Sequence, residues 1–141
     1  MYEYPLKVEK VIKGDTIKAI VDLGFSVKVH KTIRLAGVKA PSLRLDLSIK
    51  DVEERRREKE RGVKAKKRLQ ELIKEGEFHP EGLVIETFFE KRQKKSSIVG
   101  DVRFVYARDL YNHKVGEKPW VGWKRIANAL LAEGLVDIDE I

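Results

Sequence analysis

The sequence predicts a mainly β protein with helices (α+β), built from five strands and two helices. Two periodicities carry this prediction. Apolar and polar residues alternate in several short runs, which is typical of strands with one buried face. Elsewhere, apolar residues recur at every third or fourth position, which is typical of amphipathic helices. The predicted order is three strands, a helix, two strands and a helix, which is the order of an OB-fold barrel with an added C-terminal helix.

The first two strands are predicted at residues 5–13 and 15–23, joined by a tight turn at Lys13-Gly14-Asp15. Gly14 is expected to supply the positive φ that such a turn requires. Asp15 then stands at the head of the second strand. From the residues alone, its carboxylate is either a metal ligand or a cap that bonds nearby backbone N–H groups. The third predicted strand starts at Phe25 and ends near Leu35.

A connection at residues 42–61 is predicted to separate this meander from the packed part of the first helix. Asp51 is expected to cap the helix N-terminus, and good helix formers continue to Glu75. Gly62 is expected to interrupt the helix, so that its packed part runs from 63 to 74.

The fourth and fifth strands are predicted at 83–89 and 98–106, with a basic loop between them. A polar loop at 109–119 follows, and the final helix comes after Trp120 and Trp123.

Composition bounds the function. The 141 residues suit one domain, 1–141, and they contain no apolar run that could span a membrane. The N-terminus lacks the features of a signal peptide, so the cytoplasm is the expected location. A net charge of +7 favours a polyanionic partner such as nucleic acid. Charged residues are abundant and Cys is absent, a bias that suggests a thermophilic source.

Two sequence blocks resemble the signature of the staphylococcal nuclease-like (thermonuclease) family. They are V-I-K-G-D-T at 11–16 and I-R-L-A-G-V-K-A-P at 33–41. The run E-R-G-V-K-A at 60–65, where a helix begins, also resembles that family. The stretch 127–136 is similar to the family's last helix and the exit from it. The resemblance implies a closed five-stranded barrel and Ca²⁺-dependent hydrolysis of phosphodiesters in nucleic acid.

Carried over by position, the resemblance assigns catalytic roles to Asp15 and Arg34, with Asp15 as a metal ligand. Other positions depart from the family. Lys39 replaces a second metal-binding carboxylate, and Ser42 replaces a glutamate that prepares the nucleophile. The family's second arginine falls near Ser96 or Ser97, so that Lys95 or Arg103 would have to substitute for it. These losses predict a degenerate active site, in which Lys39 forms an ion pair with Asp15.

The predicted function is therefore a nucleic-acid-binding domain whose phosphodiesterase activity is lost or strongly reduced, without a cofactor. One alternative is an active metal-dependent DNA or RNA endonuclease that binds Ca²⁺ through relocated carboxylates in residues 46–54. Another is a protein-interaction module that binds a partner or a second copy through Trp120 and Trp123. The predicted contacts to single-stranded or double-stranded nucleic acid are Lys28, Arg34, Lys39, Lys91, Arg92, Lys94, Lys95, Tyr106, Tyr111 and Trp120.

Overall fold

A computed structural model describes residues 2–77, 83–88, 97–108 and 120–139 of the chain. The elements in these ranges are, in chain order, β1 (Tyr2–Lys13), β2 (Thr16–Gly24), β3 (Val27–Leu35), β4 (Val38–Lys39), α1 (Val52–Glu77), β5 (Leu83–Phe88), β6 (Ser97–Arg108), β7 (Trp120–Arg125), α2 (Ile126–Ala132) and β8 (Asp137–Ile138).

Five of the strands close into a barrel. β1, β2 and β3 form an antiparallel meander, β5 pairs with β1, and β6 pairs with β5. The barrel closes where β6 pairs in parallel with the end of β3, from Thr32 beside Ser97 to Leu35 beside Gly100. A closed, mixed five-stranded barrel with two helices confirms the predicted α+β, OB-like fold.

Three strands were not predicted from the sequence. β7 extends the sheet beyond β6, at the place where Trp120 and Trp123 were expected to lead directly into the helix. β4 and β8 form a separate two-stranded sheet, in which Val38 pairs with Ile138 and Lys39 pairs with Asp137. This small sheet brings the end of the described chain beside the second sequence block.

The core lies inside the barrel and beneath both helices. Ile17, Ala19 and Val21 alternate inward along β2, as the period of two predicts. Side chains of both helices cover the core, and the largest fully buried ones are Leu69, Leu72, Ile126 and Leu130. Burying each such side chain stabilises the fold by roughly 1.5–3 kcal/mol. Neither α1 nor α2, the helices of the described ranges, combines the length and the apolar character that a membrane span needs.

Gly14 has a different role from the predicted one. It is not among the glycines with a positive φ, so the turn does not require its conformational freedom. A Cβ built on Gly14 would lie 2.6 Å from the Cβ of Ala65 on α1 and 2.9 Å from the Cβ of Ala40. Gly14 therefore lets the β1–β2 turn pack directly against α1.

Helix α1 is continuous through Gly62, so the predicted interruption is wrong. A Cβ on Gly62 would lie 2.4 Å from the carbonyl oxygen of Ser42 and 2.7 Å from that of Pro41. The glycine is needed because the backbone after the second sequence block crosses the helix there. The predicted N-cap is confirmed, since the Asp51 carboxylate accepts a hydrogen bond from the backbone N–H of Glu53 at 3.0 Å.

Candidate nucleic-acid interface

Asp15 lies in the turn between β1 and β2, and only 2% of its surface is exposed. One carboxylate oxygen accepts a hydrogen bond from the Thr16 hydroxyl at 2.8 Å, and the other accepts one from the Ala40 backbone N–H at 3.0 Å. The Asp15 carbonyl also accepts a hydrogen bond from the Leu35 N–H at 2.8 Å. Asp15 thus ties the first sequence block to the second.

Arg34 lies on β3 directly across from Thr16, the residue that follows Asp15 in the chain. Its guanidinium donates a hydrogen bond to the carboxylate of Asp139, just beyond β8. The backbone N–H of Asp139 is itself bonded to the Gly37 carbonyl at 3.0 Å. Asp139 therefore holds an anionic oxygen against the arginine that the resemblance assigns to phosphate.

Lys39 does not pair with Asp15 as predicted. The lysine that approaches the Asp15 carboxylate is Lys13, at 3.8 Å. Lys39 instead projects from β4 as an exposed side chain on an open groove of about 510 Å³. The groove lies between the end of β1, the connection after Pro41 and the first half of α1.

Four cationic side chains line this groove, namely Lys13, Lys39, Arg44 and Lys59. Within the part of the chain that the structure describes, only Lys13 of the four makes an ion pair. Lys39, Arg44 and Lys59 are all exposed. Three exposed cations that make no ion pair in the described ranges therefore face one groove.

The groove's three carboxylates form hydrogen bonds or ion pairs with other residues. Asp46 accepts hydrogen bonds from the hydroxyl of Ser48 at 2.6 Å and from its backbone N–H, and these bonds lower the pKa of Asp46. Arg61 binds Asp137 at 2.7 Å and Glu58 at 3.5 Å. The hydrogen bond from Arg61 is also the main cause that lowers the pKa of Asp137. The charge of Lys39 also lowers the pKa of two of the three carboxylates, Asp46 and Asp137.

The acidic residues after Ser42 are dispersed. Asp46 bonds Ser48, Asp51 caps α1, and Glu53 pairs with Arg56 at 2.9 Å. Glu54 is an exposed residue in the first turn of the helix. Across residues 2–77, 83–88, 97–108 and 120–139, no three acidic or histidine side chains are grouped so that they could hold a metal ion.

Arg103 is not placed to act as the second phosphate-binding arginine. Its side chain is 6% exposed and binds Glu86 at 2.7 Å and Asp101 at 2.9 Å. Asp101 also lies 2.7 Å from the Nε of Arg125. Arg103 therefore belongs to a buried charge network in the barrel wall and is covered from solvent.

The remaining predicted contacts are scattered or lie outside the described residues. Lys28 is at the far end of β3, six residues before Arg34 and about 20 Å from it. Tyr106 lies in β6 and Trp120 in β7, where the structure describes the backbone. The residues outside the described ranges are Lys91, Arg92, Lys94, Lys95 and Tyr111.

Sequence reasoning missed several groove residues. Lys13 and Arg44 adjoin the two sequence blocks and could have been found by examining the neighbours of each motif position. Lys59 and Asp137 carry no local signal, because the helix and β8 reach the groove only through the tertiary structure.

Comparisons with known proteins add no assignment. No protein-family model matches this chain. No curated protein matches it either. The resemblance to the thermonuclease family therefore stays a prediction that rests on the sequence blocks themselves.

Proposed function

We propose that this barrel binds nucleic acid through the cationic groove beside β4 and has lost most or all phosphodiesterase activity. The observation that carries the proposal is the set of three exposed cations, Lys39, Arg44 and Lys59, that face one groove and make no ion pair in the described ranges. Cations in such a groove contact phosphates and release counterions.

The donors around Asp15 support binding without hydrolysis. A hard divalent cation such as Ca²⁺ takes six to eight oxygen ligands, most of them carboxylate, carbonyl or water. Both Asp15 oxygens already accept protein hydrogen bonds, and the position of the family's second carboxylate is Lys39. This donor set does not fit Ca²⁺, so the residues around Asp15 do not support hydrolysis through a bound metal.

The contact between Arg34 and Asp139 supports the same proposal from another side. A guanidinium binds carboxylate and phosphate oxygens with similar geometry. Arg34 binds a carboxylate at the edge of the barrel and retains 41% exposure of its side chain. It is positioned to exchange that carboxylate for a phosphate of a bound strand.

The test compares two triple variants of equal charge in a gel-shift assay with end-labelled single-stranded DNA. One variant removes the groove cations (Lys39→Gln, Arg44→Gln, Lys59→Gln). The control removes three exposed lysines of α1 (Lys64→Gln, Lys67→Gln, Lys74→Gln). Each phosphate contact contributes about 0.7 to the slope of log affinity against log salt for single strands. We expect the groove variant to reduce this slope by about 2 and the control to reduce it much less.

The same labelled strand, incubated with and without Ca²⁺, reports on hydrolysis. We expect a shifted but intact strand under both conditions. Ca²⁺-dependent cutting that Asp15→Asn abolishes would instead establish the endonuclease alternative. Equal slopes for the two triple variants would remove the groove from the interface, and the absence of any shift would favour the protein-interaction alternative.

A further inference from the structure

The hairpin between β2 and β3 ends in a turn that is unusual for its sequence. Gly24 pairs with Val27, so that the loop consists of Phe25 and Ser26 alone. Both have positive φ, at 55° for Phe25 and 64° for Ser26. Two-residue loops of this kind favour Asn, Asp or Gly, because other residues are strained in the left-handed region. A bulky aromatic residue is thus held in a conformation that it disfavours.

The strained turn displays Phe25 completely. Its side chain is 101% exposed, and the flanking Leu23 and Val27 are 40% and 49% exposed. The turn is held in shape by the Asp22 carboxylate, which accepts a hydrogen bond from the Gly24 N–H at 2.9 Å. No packing interaction within the described chain explains the position of the ring, which leaves an aromatic face exposed at the hairpin tip.

Charge identifies the class of ligand. Lys28 is the cross-strand neighbour of Asp22, is exposed, and follows Phe25 by three residues. Lys28 and Arg34 have the same parity on β3, and the residues between them on that face are Thr32 and His30, which binds Glu9 at 2.7 Å. Lys28 is therefore the cation that adjoins the exposed ring, and a cation beside an aromatic ring that can stack a base is a combination that binds single-stranded nucleic acid.

We propose that Phe25 is a base-stacking platform for single-stranded nucleic acid at the end of the barrel opposite Arg34. About 23 Å of β3 separates Val27 from Arg34, so that a strand must be long enough to reach both ends. The inference rests on the proposed nucleic-acid binding and extends it to a second, remote contact. Sequence preference is not required, because every base has a face that can stack.

The test measures fluorescence anisotropy of labelled oligothymidylate strands of about 4 and about 16 nucleotides, the range of site sizes per OB-fold. Phe25→Asn removes the ring and suits the turn better, whereas Ser26→Gly relieves the same turn and keeps the ring. Both variants should melt at or above the parent temperature, which establishes that they fold. We expect Phe25→Asn to lose about tenfold in affinity for the long strand and little for the short one. Ser26→Gly and Phe25→Tyr should retain parental affinity.

The outcomes separate this inference from the proposed function. Failure of the parent protein to bind either strand overturns both. Binding of the long strand that is equal for the parent and Phe25→Asn, or an equal loss in Ser26→Gly, overturns the stacking platform alone. Two other outcomes, each with unchanged DNA affinity, also overturn the stacking platform. If Phe25→Asn abolishes sedimentation with anionic vesicles, the hairpin tip binds a membrane. If it abolishes self-association on a sizing column, the tip binds a second copy of the chain.

Discussion

A buried carboxylate is tolerated in a protein when its oxygens are bonded, and Asp15 meets this condition through Thr16 and Ala40. Its position at the head of β2 also places it where both sequence blocks converge. The same residue that the resemblance assigns to a metal therefore has a structural function in the described fold. Stability measurements can detect this structural function independently of any activity.

We expect Asp15→Ala to lower the free energy of unfolding by about 1–3 kcal/mol, because the buried N–H of Ala40 loses its acceptor. Asp15→Asn should cost less, since its amide oxygen can still accept one of the two hydrogen bonds. Urea denaturation of both variants checks the order. Glu75→Ala is the control, because Glu75 is exposed on α1 and should change stability by less than about 0.5 kcal/mol. A loss in Asp15→Ala no larger than in the control would contradict the structural role.

Asp137 predicts a dependence on pH. The hydrogen bond from Arg61 holds the pKa of Asp137 below its ordinary 3.8. Because the folded-state pKa is the lower one, the stabilisation is fully present above the unfolded-state pKa and is lost as the pH falls through the folded-state pKa. Asp137 is 65% exposed, so that the pair contributes no more than about 1 kcal/mol.

Urea titrations of the parent protein and Asp137→Asn, at neutral pH and at a pH well below 3.8, test this expectation. The variant should be slightly less stable at neutral pH and equal to the parent in acid. Arg61→Gln should converge only in part, because Arg61 also donates a hydrogen bond to the Gly134 carbonyl at 2.9 Å, a bond that does not depend on pH. The double variant should reveal a coupling energy that high salt weakens. A difference that persists in acid would show that Asp137 acts through something other than its charge.

At the scale of elements, α1 is organised around one close approach. The backbone at Pro41 and Ser42 passes so near Gly62 that their carbonyl oxygens occupy the space of a Cβ. This contact fixes where the helix crosses the second sequence block, and hence where Lys59 reaches the groove. Helix propensity and packing make opposite demands at Gly62.

We expect Gly62→Ala to destabilise the protein by about 1–3 kcal/mol, because backbone atoms must move to accommodate the methyl group. Propensity alone predicts the opposite sign, a gain of up to about 1 kcal/mol in a helix interior. The sign of the change in thermal unfolding temperature therefore decides between the two effects. Val63→Ala, at an exposed neighbouring position of the same helix, is the control for propensity without the contact. A stabilised Gly62→Ala would mean that the crossing is looser than described.

An element could be predicted when the pattern that identifies it lies within its own segment of the sequence. β2 and α1 each bury a periodic set of side chains, and a period can be read from one segment. β4 and β8 contain two residues each and exist only because distant segments meet. Gly14 and Gly62 were misinterpreted because the sequence shows that a glycine is present but not why it is needed. Both are needed for a close contact, and neither is needed for a turn or a helix end.

The residues of the candidate site also separate into those that a local motif identifies and those that depend on tertiary contacts. Asp15 and Arg34 could be selected from the sequence blocks, and the structure pairs Arg34 with Thr16, the residue after Asp15. Their hydrogen-bond partners, Ala40 and Asp139, could not be predicted. Ala40 donates its backbone N–H to Asp15, and Asp139 is 105 positions from Arg34. Sequence motifs therefore located the site but did not predict which of its groups are already bonded.

At the scale of the whole molecule, the acidic segment 133–139 connects the barrel, α1 and β4. Its three carboxylates, on Glu133, Asp137 and Asp139, bind arginines on two different elements. On α1, Arg68 donates hydrogen bonds to Glu133 and Arg61 donates them to Asp137. On β3, Arg34 donates a hydrogen bond to Asp139. Two of these contacts anchor the segment to the helix, while the third binds Arg34, which the proposed function assigns to a phosphate.

Under the proposed function, the phosphates of a bound strand compete with Asp139 for Arg34. We expect Asp139→Asn to raise the affinity for single-stranded DNA about fivefold at low salt, the equivalent of about 1 kcal/mol for a partly exposed ion pair. The slope of log affinity against log salt should steepen by about 0.7, since one more cation becomes available for a phosphate. Glu75→Gln makes the same change in net charge at an exposed site on α1 and should leave the slope unchanged.

Combining Asp139→Asn with Arg34→Gln should remove the gain in affinity, because the double variant has no arginine at position 34 to contact the phosphate. If the gain survives in that double variant, or if Glu75→Gln matches it, Asp139 acts only through net charge and Arg34 is not a phosphate contact.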